Sequence, residues 1–394
     1  MKLKRSETIK SYQEELVQWR KEFHRHPELG FEEVWTSKRI VEILSDLDVD
    51  IEQGFCSTAV VAVIKGEQPG PVIGVRADMD ALAMEDLKEV DYKSENPGVC
   101  HACGHDVHVT IALGVAKYYS SHKNELKGTL KLVFQPAEEG PTPGGGKLVV
   151  ESGVIDDVDK MLCLHTNPDW PTGTVLLRKG EMLASADNFN VEIKGRGGHG
   201  AYPHQTIDPI SAAIEIYQAL QLMMTREIDP VKATALSICY INGGSEHANN
   251  VVPETASIGG TIRSFDNDIR DLALKRLEEI VEGICKYHEC TYEMKMAPLS
   301  IALKNDEELI CMLDEAGTEI VGREHVKYME VPEMGCDDFA YYGLKSKAAY
   351  FYFGTTKAEA LGTFTFHHPK FDVDENSLCL GVEMMVRAIE KCAN

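Results

Sequence analysis

Ten consecutive residues, Val99-Cys100-His101-Ala102-Cys103-Gly104-His105-Asp106-Val107-His108, hold two cysteines, three histidines and an aspartate. Cys103 and His105, one glycine apart, can turn a thiolate and an imidazole toward a single ion, and that donor pair suits zinc and its neighbours. Taken alone, a Cys-x-His is most simply a buried thiol beside a helix-capping Asp106. The rest of the chain changes this reading. Asp80, Glu138, Glu139, His165 and His367 each follow a short apolar run, and the Cys103/His105 pair precedes a helical pattern. In α/β proteins, ligand sites collect at the carboxyl ends of strands and at adjoining helix N-termini. Donors placed alike in this way predict a metal site.

Several elements must position these residues. Pro71–Val75 is an apolar β-type run leading into Arg76, Asp78 and Asp80. Leu130–Phe134 runs directly into Gln135-Pro136-Ala137-Glu138-Glu139-Gly140, and Met161–Leu164 reads as a strand with His165 at its end. Tyr350–Phe353 and Phe364–Phe366 read as buried strands, the latter followed by His367-His368-Pro369. Apolar spacing with Leu16, Trp19 and Phe23 predicts a helix over 7–29, its basic end (His24, Arg25, His26) complementing the helix dipole. Further helices are expected over 36–48 and about 107–120, and a strand over 57–64. Residues from about 184 break this rhythm: strand 189–193, helix 209–224, strands 233–241 and 256–262, helix 267–287. The β-α-β-β-α-β order predicts an inserted α+β, ferredoxin-like layer. The expected organisation is an α/β catalytic domain of residues 1–183 and 297–394 with a central, mostly parallel sheet, interrupted by a second domain, 184–296.

Composition bounds the function. At 394 residues, two domains are the default. A net charge of −23, from 40 basic and 63 acidic residues, argues against nucleic acid or an anionic membrane as partner. Lys2, Lys4 and Arg5 open the chain without a following apolar signal region, and no apolar run is long enough to span a bilayer. Eleven cysteines without regular spacing suit a reducing compartment, so a cytoplasmic location is expected. Cys56, Cys239, Cys285 and Cys311 lie among apolar neighbours and read as small core residues. Gly144-Gly145-Gly146 lacks the Lys-Ser/Thr of a phosphate-binding loop.

Taken together, these segments resemble the M20 metallopeptidase/amidohydrolase family, and within it the N-acyl-amino-acid amidohydrolases (hippurate hydrolases, N-acetyl-amino-acid deacetylases, auxin-conjugate hydrolases). The carriers are His24–Glu33, Arg76–Leu82, Cys100–Asp106, Gln135–Gly140, Gly198–His204, Asn250–Pro253, Gly260–Arg263 and His367–Phe371. The resemblance implies a zinc-peptidase-like catalytic domain and an inserted lid or dimerisation domain. It also implies two divalent ions per subunit, zinc or manganese with cobalt or nickel as alternatives, held by Cys103, His105, Glu139, His165 and His367. Glu138 matches the general base, Asp80 an orienting carboxylate, and Asp78 lies beside it. His199, Asn250 and Arg263 resemble groups that reach the substrate, in relatives often across a dimer. Cys100 is one place off the pattern of ligands, and His101, His108 and His204 are left as loop or supporting residues.

The implied reaction is hydrolysis of an N-acyl-L-amino acid by an activated water, in a homodimer or homotetramer. The alternative is a dipeptidase or aminopeptidase of the same family. Adjacent carboxylates such as Glu138 and Glu139 can divide the roles of base and ligand, because neighbouring side chains leave an extended backbone in different directions. There are two departures from the family pattern: Ala83 stands where proline is usual, and Asp337-Asp338-Phe339 where Glu-Asp-Phe is usual. Both bear on substrate preference.

Overall fold

The computed structural model of the chain describes residues 2–394, with side chains from residue 6 onward; residue 1, where the first domain was expected to begin, lies outside the described residues. Two compact units emerge. The first takes the chain up to Met182, then Lys304–Pro332 and Asp337–Asn394; the second takes Leu183–Leu303 and Glu333–Cys336.

An eight-stranded sheet organises the first unit. From edge to edge its strands are Asp50–Gln53, Val60–Lys65, Lys127–Gln135, Gln68–Asp78, Lys160–Pro171, Lys347–Thr356, Val175–Leu177 and Val326–Tyr328. The sheet is mixed, with four parallel and three antiparallel neighbour pairs, the parallel ones grouped mainly at its centre. Inner strands such as Val60-Val61-Ala62-Val63-Ile64 are buried without alternation, as expected where both faces are covered. The helix His105–Ser121 is buried almost all round. It shares one core with the helices Gln13–Arg25 and Asn376–Cys392, through Leu16, Phe23, Leu113, Val382 and Met385.

The single helix expected over 7–29 is two, Lys2–Lys10 and Gln13–Arg25. Between them the Ser11 hydroxyl donates to Thr8 O (2.6 Å), a local bond that competes with the helical ladder. The second helix ends ahead of Pro27, whose ring disfavours helical backbone before it. Phe364–Phe366 is not a strand. A turn at Gly362 (φ +73°) precedes it, Phe364 is exposed and stacks on His368, and Phe366 stacks on Phe371. Cys56 and Cys285 are buried, whereas Cys239 and Cys311 are exposed. Cys239 falls at a register shift on an edge strand, between Ile238 and Tyr240.

In the second unit, four antiparallel strands lie in the order Thr234–Gly243, Thr255–Ser264, Ala186–Lys194, Thr291–Ser300. With helices Pro209–Arg226 and Asn267–Tyr287 this is the split β-α-β-β-α-β arrangement. Asp208 caps the first helix through Ile210 N, and Asp266 caps the second through Asp268 N and Ile269 N. The core joins Phe189, Val191, Ile258, Ile216, Leu220, Leu277 and Val281. The unit runs past residue 296 to Leu303 because its last strand keeps pairing with the first as far as Ser300 opposite Ala186.

Phe134 is fully buried in the strand that delivers Glu138 and Glu139. Phe134→Ala is expected to cost about 3–5 kcal/mol of stability, read by urea denaturation.

Candidate metal centre

The sheet places the donors at one end of its parallel strands. The strand Gln68–Asp78 ends in Asp78, and its neighbour ends in Gln135, whose carbonyl accepts from Met79 N (3.0 Å). His165 is an interior residue of its strand rather than a terminal one, because pairing with the strand Lys347–Thr356 continues beyond it to Pro171. It does stand beyond the last pairing with the strand Gln68–Asp78, at Arg76 opposite Cys163.

Cys103 reaches His165 through an unusual loop. Gly104 has φ +89°, and a Cβ there would fall 2.4 Å from Thr166 Oγ1. Only glycine both takes that conformation readily and leaves that space. The Thr166 hydroxyl donates to Cys103 O (3.0 Å), and Cys103 Sγ lies 3.7 Å from His165 Nε2.

Two histidines are oriented as ligands usually are. His165 Nδ1 donates to Thr166 O (2.8 Å), and His105 Nδ1 donates to Asp80 O (2.9 Å) with Asp80 Oδ1 at 3.2 Å. Such partners fix the ring and leave the other nitrogen for a cation. His105 Nε2 is buried and has no hydrogen-bond partner among the described residues; the nearest carboxylate oxygens are Asp78 Oδ2 at 3.5 Å and Glu138 Oε2 at 3.9 Å. His367, at φ +58° and held by its N–H on Ala102 O (2.8 Å), places Nε2 3.1 Å from Glu139 Oε1.

Donor atoms of Cys103, Glu139 and His367 lie within 4.8 Å of one another, as do those of His105, Glu138 and Glu139. Glu139 belongs to both groups. The residues expected as ligands are brought together, His165 through Cys103 Sγ, with Glu138 beside His105 and Glu139 and with Asp80 Oδ2 accepting from Glu139 N (2.8 Å).

Further residues join the site. His108 accepts from Thr166 N at Nε2 (2.9 Å), so its Nδ1 proton goes to Asp78 Oδ1 (2.5 Å). Buried Arg76 bonds Asp78, Asp338 Oδ1 (2.9 Å), Asp337 Oδ1 (3.0 Å) and Gln135 Oε1 (3.0 Å). Asp337 and Asp338 in turn lie within reach of Glu138. An arginine inside an apolar strand and a remote Asp-Asp pair were the available signals for this network. His24, expected only to complement the helix dipole, is buried, its Nδ1 2.7 Å from Asp106 Oδ2; Asp106 also accepts from Arg20 Nε (2.9 Å).

In the second unit, His199 and Asn250 are neighbours. Gly200 N donates to Asn250 O (2.7 Å), and Val251 pairs with His199. Both side chains belong to exposed residues. Arg263 is half-buried on the strand Thr255–Ser264, where it bonds Thr261 Oγ1.

The electrostatics of the first unit call for a cation. Burial, then the charges of Asp337 and Glu139, push the Glu138 carboxyl well up. Burial, then Glu139 and Glu138, push the Cys103 thiol well up. Burial, then Asp337, raises Asp338 to about 7 against the pull of Arg76. Burial alone would lower His105, but Asp78, Asp80 and Glu139 carry it up to about 10. Burial, then His108, lowers His165. Crowded anionic donors hold protons here, and divalent ions can replace those protons. A thiolate, imidazoles and carboxylates in this arrangement fit such ions.

Fold and donor set together define a metal-dependent hydrolase of amide bonds, and the comparisons with known proteins agree. The profile of peptidase family M20/M25/M40 matches residues 74–391. Thermostable carboxypeptidase 2 of Saccharolobus solfataricus is 37% identical over 379 residues, 95% of this chain and 94% of that protein. N-acetylcysteine deacetylase of Bacillus subtilis is 35% identical over 370 residues, 94% of each. The crystal structure of Bacillus subtilis YXEP, a dinuclear metal-binding peptidase of the M20 family, matches with a TM-score of 0.80 at 32% identity, over 98% of this chain and 99% of that one. The chain belongs to the M20/M25/M40 peptidase family.

Because the protonated forms of Cys103 and His105 are favoured without a cation, binding one at these donors releases their protons. Affinity for Zn²⁺ is expected to rise with pH between 6 and 8, by about tenfold per pH unit for each proton released. Competition against a chromophoric chelator, with calorimetry in buffers of differing ionisation enthalpy, measures both quantities.

Proposed function

We propose that the chain hydrolyses the amide bond of N-acyl-L-amino acids, such as N-acetyl or N-benzoyl conjugates, to a carboxylate and a free amino acid. The observation carrying this reading is the turn after buried Ala137, which brings Glu138 to His105 and Glu139 while Glu139 also reaches Cys103 and His367. Cys103, His105, Glu139, His165 and His367 would hold two divalent ions, zinc or manganese with cobalt or nickel as substitutes. Such ions supply Lewis acidity and lower the pKa of water toward neutrality.

Glu138 does the proton work. Its carboxylate takes a proton from the attacking water and passes it to the leaving nitrogen as the amide breaks. Burial and the neighbouring Asp337 and Glu139 charges favour its protonated form, which suits the donating half of that cycle. Asp80 keeps His105 and the Glu139 backbone in place. His199 would donate to the developing oxyanion, a role worth about 3 kcal/mol. Asn250 and Arg263 would hold the substrate carboxylate; Arg263 pairs with no carboxylate among the described residues, which leaves its guanidinium for a bidentate contact.

We also propose a homodimer or homotetramer in the cytoplasm, with a small-molecule substrate and neither nucleic acid nor membrane as partner. Cys100, Cys163 and Cys392 are buried free thiols, and no helix among the described residues is long and apolar enough to cross a membrane. The second unit exposes Ile214, Tyr217 and Leu222 on one helix and an edge strand carrying Tyr240 and Ile241, surface of the kind a second copy covers.

A peptidase reading has support in the names of relatives, carboxypeptidase for the Saccharolobus protein and peptidase for YXEP. A reconstituted hydrolysis panel of N-acetyl, N-benzoyl and longer N-acyl amino acids against dipeptides separates the two; turnover confined to dipeptides would replace the first reading by the second. Glu138→Ala is expected to retain its metal while kcat falls at least about a hundredfold, and unchanged turnover would remove the general-base role. His199→Ala should lose rate at constant metal content. Mixing it with the Glu138 variant restores activity where His199 acts across subunits.

A further inference from the structure

Glu138 and Glu139 leave a turn whose backbone few side chains adopt unaided. Ala137, immediately before them, lies at φ +51° in the left-handed region, and it is fully buried. A non-glycine residue stays there only where its surroundings over-determine it. Two bonds do so directly. Gly145 N donates to Ala137 O (3.0 Å), and Ala137 N donates to Glu33 Oε1 (2.8 Å).

Glu33 is the unexpected partner. It is fully buried, no cationic side chain pairs with it among the described residues, and its second oxygen accepts from Thr58 Oγ1 (2.7 Å). Glu33 occupies the N-cap position of the helix Val34–Ser45, yet its side chain makes no capping hydrogen bond. Helix capping therefore does not account for its carboxyl. Burying a carboxyl is costly, and an acid oxygen is a strong acceptor for a backbone N–H. The one strained N–H it meets belongs to the turn that aims the two glutamates.

We propose that Glu33 is a positioning residue of the active centre: by accepting from Ala137 N it holds residue 137 in the left-handed conformation and so sets where Glu138 and Glu139 project. The proposal rests on the roles given to Glu138 and Glu139 above. Failure of those roles would show separately, as a Glu138→Ala variant with full turnover.

Glycine takes the left-handed conformation without help, so Ala137→Gly should suppress the loss of Glu33. The test compares Glu33→Ala, Glu33→Asp, Ala137→Gly and each double variant, reading kcat on an N-acyl amino acid and Zn²⁺ affinity by chelator competition. Glu33→Ala is expected to lower both by at least about tenfold, the usual scale for losing a partner behind a metal ligand. Glu33→Asp, which keeps the acid but shortens its arm, should show a smaller loss in the same direction. Adding Ala137→Gly should return most of kcat and Zn²⁺ affinity in either background. Where Glu33→Ala does not fold, the Glu33→Asp pair decides. Wild-type kcat and Zn²⁺ affinity in the Glu33 variants, or double variants no better than the singles, would overturn the proposal.

Discussion

Negative charge crowded into the interior is the constraint on which this structure turns. Asp78, Asp337 and Asp338 converge on Arg76, fully buried. Burying an arginine with three carboxyl groups is costly, and it holds only where geometry and hydrogen bonds are good. Gln135 completes the set by accepting from Arg76 and donating to Asp338. That arrangement makes the ends of the central strands rigid, because Arg76, Asp78 and Gln135 all lie on the two adjacent parallel strands. Asp78 then passes the rigidity outward, to His108 and toward His105.

A second buried network fastens the site from behind. Arg20 bonds Asp106, next to His105, and Asp372, five places after His367. Lys88 donates to Phe371 O (2.8 Å) and meets His24, which meets Asp106 in turn. The start of the helix His105–Ser121 and the loop after His367, both beside expected ligands, are thus tied to one N-terminal helix. Asp106 and Asp372 are held below the usual carboxylate range against the cost of their burial, Asp106 chiefly by Arg20 and His24, Asp372 chiefly by Arg20. Both carboxylates consequently keep their charges paired, Asp106 fully buried and Asp372 partly exposed.

Much of this was legible from residue order, and the exceptions have a common cause. The apolar runs placed the strands, the β-α-β-β-α-β rhythm announced the inserted layer, and the helix Asn267–Tyr287 runs as its periodicity implied. Apolar runs and a helix start pointed to a metal site, but the particular ligands and base were named from the family resemblance. What stayed hidden were contacts made by side chains far apart along the chain. Arg76 and Asp337 are separated by 261 positions, and nothing at either place states that they meet. His108 could be a surface histidine until Thr166 N is seen to donate to it. Glu33 reads as one acid among many until Ala137 is seen to need an acceptor. Phe364–Phe366 failed for another reason: apolar alternation says that a segment could pair, not that a strand is there to pair with.

Gly104 carries a consequence of its own. With Thr166 Oγ1 occupying the space a side chain would take, and with that hydroxyl also binding Cys103 O, positions 104 and 166 cannot vary independently. Shrinking 166 would clear the space but leave any side chain at 104 strained by its φ of +89°, and it would remove the bond that steadies the cysteine. Drift is therefore closed at 104 and costly at 166.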